Sequence, residues 1–284
     1  MGWVASDRRR WCWRLTATLV VLGSMGRVWQ TQSAETVVMV ALVWGGALCC
    51  VEDRLPTLRP KPSGAGFALA VVLLLLAQWR QEGIVQPLYV AQLLPLMQGL
   101  GLLLLAVPIN RWSQWLDPLL ALALLPLSVI LVAVLPMEGL SRLTSHLSGV
   151  LLLSVGVDAV VVGEKLILPG GAVAVDGPCS GIYMLAQLVV VGGIFSLVFP
   201  LGGGRRRWLA MGVAMGLAPV FAVLANAVRI ALLAVMNASS WPQKQWWFAF
   251  FHGGEGGLVF SLLAVTAFAA AYFRVQDHWL KLPR

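Results

Sequence analysis

Long apolar segments separated by short polar or basic segments dominate this chain. A membrane-spanning helix needs about 20 mostly apolar residues, and somewhat fewer suffice where the bilayer is thin. By this criterion the pattern predicts eight spans, which cover residues 15–30, 36–51, 64–79, 88–107, 115–136, 180–200, 208–236 and 254–273. The fold class predicted from the pattern is therefore an all-α polytopic membrane protein.

The longest interruption in this pattern separates the fifth span from the sixth. Within it, residues 140–157 carry Arg142 and His146 on an otherwise apolar background, which is typical of a helix that lies at the membrane interface or re-enters it. Residues 158–176 alternate Val, Ile and Leu with Gly, Glu, Lys and Pro. This second part predicts short extended segments with a turn at 169–171.

No internal repeat and no long linker divides the sequence, so we predict one integral membrane domain over residues 1–284. It would consist of five N-terminal spans in 1–136, an outer-face loop with an interfacial helix in 137–179, and three C-terminal spans in 180–284.

Composition agrees with a lipid environment. Of the 284 residues, 59% are hydrophobic and 11% are charged, whereas soluble domains have about 25% charged residues. The net charge of +8 would fit a nucleic-acid partner, but the arginines form short clusters between apolar runs rather than one long basic stripe. We therefore interpret them as topology signals and predict the lipid bilayer, not nucleic acid, as a partner.

The basic residues also predict an orientation. Of the 20 Lys and Arg, 14 fall on the side of the N-terminus, four fall on the opposite side, and Arg27 and Arg229 lie within spans. Because cytoplasmic loops carry the excess of positive charge, both termini are predicted to be cytoplasmic, in the inner (plasma) membrane of the cell. The loop at 137–179 then lies outside.

One of the four cysteines stands apart from the others. Cys12, Cys49 and Cys50 are predicted on the cytoplasmic side, whereas Cys179 lies where the outer loop enters the sixth span. No CxxC pair and no Cys/His cluster at zinc spacing is present, so we predict neither a metal site nor a disulfide framework nor a cofactor. A cysteine at a helix N-terminus meets the positive end of the helix dipole, which favours the thiolate; the alternative is a buried cysteine that acts as a small hydrophobe.

Two further polar residues map to the same outer boundary, on two other spans. Arg229 lies inside the seventh span, where an arginine costs about 2.5–3.5 kcal/mol near the membrane centre unless it faces a polar interior or reaches the interface. Asn226, three residues earlier, shares its helical face. His252 lies at the entrance to the eighth span. The alternative to a functional role is an interfacial histidine that forms hydrogen bonds with water. Together, Cys179, His252 and Arg229 could perform acyl transfer, as nucleophile, proton carrier and donor to an oxyanion.

Three carboxylates lie near these residues in the sequence. Asp158 and Asp176 flank the cysteine loop and could orient His252, although solvated loop carboxylates are the favoured interpretation. Glu255 follows His252 by three residues, close enough to contact it if both lie on one helix.

Three short blocks resemble the signature blocks of the exosortase/archaeosortase family. They are Cys-Ser-Gly-Ile at 179–182, Asn-x-x-Arg-Ile at 226–230 and Phe-His at 251–252. The Ile-Leu-Pro-Gly at 167–170 and Val175 also resemble that family's approach to its cysteine, and the similarity covers mainly residues 140–275. The Trp-rich and Gly-rich composition and the short length suggest the cyanobacterial subgroup.

The resemblance implies a membrane-embedded cysteine transpeptidase that cleaves a C-terminal sorting signal on secreted proteins through a Cys thioester and transfers them to an outer-surface acceptor. Its partners would be proteins whose signal has a short motif (PEP-CTERM or a relative), one transmembrane helix and a basic tail. Carried over to this sequence, Cys179 would be the nucleophile, His252 the proton-transfer partner and Arg229 the stabiliser of developing charge. The supporting residues would be Asn226, Ser180, Gly181 and Glu255.

Other functions remain open on the residues alone. A membrane cysteine protease would use the same three residues with water as the final acceptor. A small-anion transporter would bind its substrate through Arg229 and Asn226, although no repeated half with matching broken helices is present. A structural assembly subunit would have no use for an intramembrane arginine. The sequence does not predict the oligomeric state.

Overall fold

The computed structural model describes residues 2–55, 58, 60–79, 88–108, 115–202 and 204–281. In these ranges the chain forms ten α-helices and three short strands. The helices are α1 (Gly2–Thr31), α2 (Ala34–Val51), α3 (Gly64–Trp79), α4 (Leu88–Ala106), α5 (Leu116–Val134), α6 (Met137–Ser154), α7 (Ile182–Val198), α8 (Arg205–Ala238), α9 (Lys244–His252) and α10 (Gly254–Lys281). The strands are β1 (Val160–Val162), β2 (Lys165–Leu168) and β3 (Gly171–Ala174).

The chain is an all-α membrane protein. Among the described residues, four helical stretches are by length and composition able to cross a bilayer: Ala34–Arg54, Leu116–Val134, Arg205–Ala238 and Gly254–His278. Three shorter apolar helices cover Gly64–Ala77, Gln92–Ala106 and Ile182–Val198. Each of the eight predicted spans falls on one of the helices α1 to α5, α7, α8 and α10. That all eight cross the membrane, and in which direction, stays a prediction.

The helices group into two compact units. The first contains residues 1–129 with 197–199, and the second contains residues 130–196 with 200–284. One apolar core of the first unit joins α2 and α4 through Val51, Leu103, Ala106 and Val107, together with Trp115. The second unit contains the sheet, α6, α8, α9, α10 and most of α7. The single-domain prediction concerns the whole chain and stays a prediction.

The sheet lies within the stretch predicted to be extended. Its strands are antiparallel in the order β1-β2-β3, and the register pairs Leu166 with Val173. Side chains alternate between the two faces of a strand, so Leu166, Leu168 and Val173 point together into a core with Ile230 and Leu233 of α8. This packing places the end of β3, and the chain that follows it, against the C-terminal half of α8.

A glycine turn fixes the sheet to the end of α8. Gly170 has φ +101°, and a Cβ there would lie 2.8 Å from the Ala238 carbonyl oxygen. Such a close approach of two backbones requires glycine. The Asn237 side chain also donates to the Ala172 carbonyl at 2.9 Å.

Helix α6, which falls on the predicted interfacial helix, has an unusual distribution of side chains. Its exposed residues include Leu143, Val150 and Leu153, whereas four of its hydroxyl residues are buried, namely Ser141, Thr144, Ser145 and Ser148. The buried side is thus made mainly of small polar residues, and the exposed side mixes apolar residues with Glu138, Arg142 and His146. Apolar residues outside and small polar residues at helix contacts are typical of packing within a membrane.

The helices α7, α8 and α10 form a second core below the sheet. Ala218 and Ala222 of α8 allow close approach of α7, where a Cβ at Gly192 would lie 3.2 Å from that of Ala218. Phe195 of α7 meets Phe268 of α10 edge to face, with ring centroids 5.9 Å apart. These contacts hold α10 against α7, which begins in the first signature block, and α8, which carries the second.

Candidate active site

Cys179 lies in a 3₁₀ turn, Gly177–Ser180, that connects β3 to α7. Its backbone N–H donates to the Asp176 carbonyl at 2.8 Å. The side chain is 3% exposed and packs in the core beneath the sheet with Val175 and Ile230. Its Sγ lies 3.4 Å from Nδ1 of His252, a residue 73 positions later in the chain.

Gly181 separates this turn from α7. Its φ of +88° reverses the backbone, and a Cβ there would lie 2.5 Å from the Asn226 Nδ2 atom. The Ser180 hydroxyl then accepts from the Ile182 N–H at 3.4 Å, at the start of the helix. Cys179 therefore lies in a separate turn just before α7, at the entrance to the sixth predicted span.

The electrostatics of the thiol follow from this placement. Burial raises the pKa of the Cys179 thiol; the nearby Arg229 charge lowers it, and the Asp176 carboxylate raises it further. Desolvation is the largest of the three effects, and it opposes the stabilisation of the thiolate that a helix N-terminus would favour. A nucleophilic Cys179 would have to lose its proton during the reaction, and the His252 imidazole lies at hydrogen-bonding distance from its sulfur.

Arg229 braces the helix that carries the histidine. It is 6% exposed, and its Nε and Nη2 donate to the carbonyls of Phe251 and His252 at 2.7 and 3.0 Å. The last carbonyls of a helix have no partner inside the helix and carry partial negative charge. The guanidinium of α8 thus caps the C-terminus of α9 with two charge-assisted hydrogen bonds.

Asn226 connects the same face of α8 to the cysteine. Its Nδ2 donates to the Cys179 carbonyl at 3.0 Å, and its Oδ1 accepts from Arg229 Nη1 at 3.5 Å. The expected shared face of Asn226 and Arg229 is present in the structure. One turn of α8 therefore contacts both the turn that carries Cys179 and the helix end that carries His252.

His252 is the last residue of α9. Its exposed ring stacks on Phe248, with centroids 5.6 Å apart and planes 11° apart. Gly253 then interrupts the helix, so Glu255 lies on α10 rather than on the helix of the histidine. The predicted contact across one helical turn therefore does not apply. Within the described residues, the His252 imidazole forms no hydrogen bond with Asp158, Asp176 or Glu255.

Comparison with known proteins identifies the family. The model of the transmembrane exosortase family matches residues 27–269. This chain belongs to that family. No curated protein and no solved structure shows significant similarity to it. The predicted resemblance is confirmed at the level of the family, and the cyanobacterial subgroup stays a prediction.

The structure of this exosortase adds residues that the sequence analysis does not single out. Thr144 of α6 donates to the Ser180 carbonyl at 3.0 Å, and Ser148 donates to the Ala227 carbonyl of α8 at 2.9 Å. A signal for them exists in the sequence, because Ser141, Thr144, Ser145 and Ser148 follow the spacing of one helical face. His146 and Arg142, by contrast, lie on the exposed face of the same helix.

Substitution of Gly181 by alanine tests the close approach of the exosortase signature blocks. The substituted residue would have a strained positive φ and would push Asn226 away from the Cys179 carbonyl. We expect a stability loss of about 1–3 kcal/mol, measured by thermal denaturation in detergent, and slower alkylation of Cys179. The matched control is Gly216→Ala in α8, where a Cβ meets nothing within 4 Å. Equal effects of the two substitutions would contradict this assignment.

Proposed function

We propose that this exosortase is a cysteine transpeptidase in which Cys179 is the nucleophile, His252 transfers protons and Arg229 stabilises developing negative charge. The observation that supports it most directly is the 3.4 Å approach of Cys179 Sγ to His252 Nδ1. A thiol beside an imidazole that another residue holds in place is the arrangement that nucleophilic catalysis requires.

The first half-reaction forms the thioester. His252 takes the proton from Sγ, and the sulfur attacks the carbonyl carbon of the scissile peptide bond to give a tetrahedral oxyanion. The imidazolium returns the proton to the departing amine, the C–N bond breaks, and the acyl group remains on Cys179. The second half-reaction reverses these roles, since His252 takes a proton from the acceptor, the acceptor attacks the thioester, and the thiol leaves protonated.

Arg229 would act in two ways. Its charge lies near enough to Cys179 to lower the pKa of the thiol, so it also stabilises negative charge that passes from sulfur to the substrate oxygen. Its hydrogen bonds to the Phe251 and His252 carbonyls hold the imidazole in place. This geometry does not favour a small-anion transporter, because the guanidinium is engaged by backbone carbonyls of its own chain.

The proposed substrates are secreted proteins with a C-terminal signal, one transmembrane helix and a basic tail. The same charge asymmetry that predicts cytoplasmic termini for the enzyme would keep the basic tail of the substrate in the cytoplasm. The start of the substrate helix would then lie at the outer face of the plasma membrane. The turn that carries Cys179, which precedes the short apolar helix α7, would meet it there.

Mass spectrometry of the intact protein tests this proposal. The full chain in membrane vesicles is incubated with a synthetic peptide that carries a C-terminal sorting signal and its transmembrane helix. We expect a covalent adduct with the mass of the cleaved acyl fragment on Cys179, released by hydroxylamine as a thioester should be. The Cys179→Ala variant should form no adduct, whereas Cys49→Ala, which alters an exposed cysteine of α2, should form it normally.

The products distinguish transfer from hydrolysis. If the adduct forms and the released fragment carries an added amine or lipid, the acceptor is identified by its mass. Release of the free acid alone would replace the transpeptidase by a protease that uses the same residues. An unmodified Cys179 that a small thiol reagent still labels would contradict acyl transfer to this residue from the peptide used.

A further inference from the structure

The turn that carries the nucleophile is held by hydrogen bonds from two other helices. Asn226 of α8 donates to the Cys179 carbonyl, and Thr144 of α6 donates to the next carbonyl, that of Ser180, both at 3.0 Å. The Cys179 N–H is bonded to the Asp176 carbonyl. These bonds fix the orientation of the two peptide groups on either side of Ser180. The bond from Asn226 to the Cys179 carbonyl sets the direction in which the Cys179 side chain leaves the backbone.

Thr144 differs from the other buried hydroxyl residues of α6. The Ser145 and Ser148 hydroxyls each reach a carbonyl of their own helix as well as a carbonyl of another element. Each must share one proton between two acceptors. Among the described residues, the Thr144 hydroxyl reaches the Ser180 carbonyl alone. It therefore donates its hydrogen bond to the turn that carries Cys179 and to no other acceptor.

Water cannot easily replace this donor. Thr144 is 0% exposed and Ser180 is 1% exposed, and a buried carbonyl that loses its partner must find another or move. The backbone of the turn can change conformation, because Gly181, which follows it, tolerates a wide range of backbone angles. Loss of the hydroxyl would therefore reorient the peptide between Ser180 and Gly181 and, with it, the turn that carries Cys179, so that Sγ would move away from the imidazole.

We propose that Thr144 is a positioning residue for the nucleophile of this enzyme: its hydroxyl holds the Cys179–Ser180 turn so that Sγ faces His252. The proposal rests on the function proposed above for Cys179 and His252. It extends the site beyond the three signature blocks to a helix that contains none of them.

The experiment follows the thiol itself and needs no peptide substrate. The full chain, with Cys12, Cys49 and Cys50 replaced by serine, is reconstituted in lipid nanodiscs. The rate of Cys179 alkylation by iodoacetamide is then measured over about pH 6 to 9, since the thiolate is the form that reacts. Thr144→Val removes the hydroxyl at constant shape, and Thr144→Ser keeps it. Ser145→Ala is the matched control, since that hydroxyl also reaches a carbonyl of another element, Glu164, at 3.0 Å.

We expect Thr144→Val to slow alkylation by about 10- to 100-fold, because a displacement of about 1 Å at a reacting group can cost about 10² in rate. Thr144→Ser and Ser145→Ala should stay within about twofold of the parent. Where the valine variant is not recovered folded, a loss of tenfold or more in Thr144→Ser would overturn the proposal, since that variant retains the donor.

A double-mutant cycle separates positioning from general destabilisation. In the parent and in Ser145→Ala, His252→Ala should slow alkylation about 10²-fold, as the proton acceptor is lost. In Thr144→Val the same substitution should have little further effect, because the thiol no longer faces the imidazole and the two changes are not additive. Additive effects in all backgrounds, or equal losses in Thr144→Val and Ser145→Ala, would overturn the proposal.

The two proposals can fail separately. If the sorting-signal peptide forms no adduct but the cycle behaves as expected, the positioning role stands and the proposed substrate is wrong. If the adduct forms at the parent rate in Thr144→Val, the positioning role is wrong and the transpeptidase proposal stands.

Discussion

Cells that produce the Cys179→Ala variant as their only exosortase are expected to accumulate unprocessed sorting-signal proteins. Without the sulfur there is no acyl-enzyme, and loss of the nucleophile in comparable enzymes lowers the rate by about 10⁴–10⁶. The variant should insert and fold, because the substitution removes one atom from a side chain that is held mainly by its backbone. The measurement is the mass of a tagged substrate, which retains its C-terminal signal.

Two controls define this result. Cys49→Ala should process substrate at the normal rate, since Cys49 is an exposed residue of α2. Membrane fractionation should recover equal amounts of the Cys179→Ala variant and the parent. Normal processing by a well-inserted Cys179→Ala variant would rule out the thioester mechanism.

Arg229→Ala is expected to have the second-largest effect. It removes the charge beside the thiol and leaves the Phe251 and His252 carbonyls without their donor, so both stabilisation of the oxyanion and placement of the imidazole are lost. Removal of one oxyanion donor alone costs about 10²–10³ in rate. Loss of hydrogen bonds to a buried charged group should also lower stability by about 1.5–3 kcal/mol. The processing assay and thermal denaturation measure the two effects.

Arg229→Lys separates charge from geometry. Lysine keeps the positive charge but lacks the planar fork that reaches two successive carbonyls. Recovery of most of the activity would assign the role of Arg229 to charge, whereas a loss as deep as that of alanine would assign it to its hold on α9. Arg142→Ala, an exposed arginine of α6 that pairs with Glu138, is the matched control and should remain active. A fully active and stable Arg229→Ala variant would contradict both roles.

The positions of the apolar helices could be predicted from the sequence because lipid imposes a simple criterion. Residues 64–79 coincide with α3, and the ends of the predicted span at 88–107 agree with α4 to within one residue. The long run at 208–236 belongs to a helix that begins at Arg205 and ends at Ala238. Polar residues at the ends of a helix lie outside the apolar pattern. The pattern therefore does not show where such a helix begins or ends.

The grouping of Cys179, Arg229 and His252 could also be anticipated, since hydropathy and charge place all three near one boundary on different spans. The contacts that each side chain makes could not be predicted from the sequence. The contacts of Arg229 with the carbonyls of Phe251 and His252 depend on where α9 ends, and Gly253 is one glycine among several in that segment. The raised pKa of Cys179 depends on its burial by the sheet. Strands of three or four residues are too short for their packing to be predicted from the sequence alone.

The separation of α9 from α10 has a consequence for biosynthesis. Cys179 and Arg229 leave the ribosome well before His252, and the carbonyls that Arg229 binds belong to the last residues of α9. During synthesis the thiol is therefore present before the imidazole that is proposed to accept its proton. On the proposed mechanism it would become a competent nucleophile only after α9 has docked, so a nascent chain that stalls before this point would be inert towards the peptides around it.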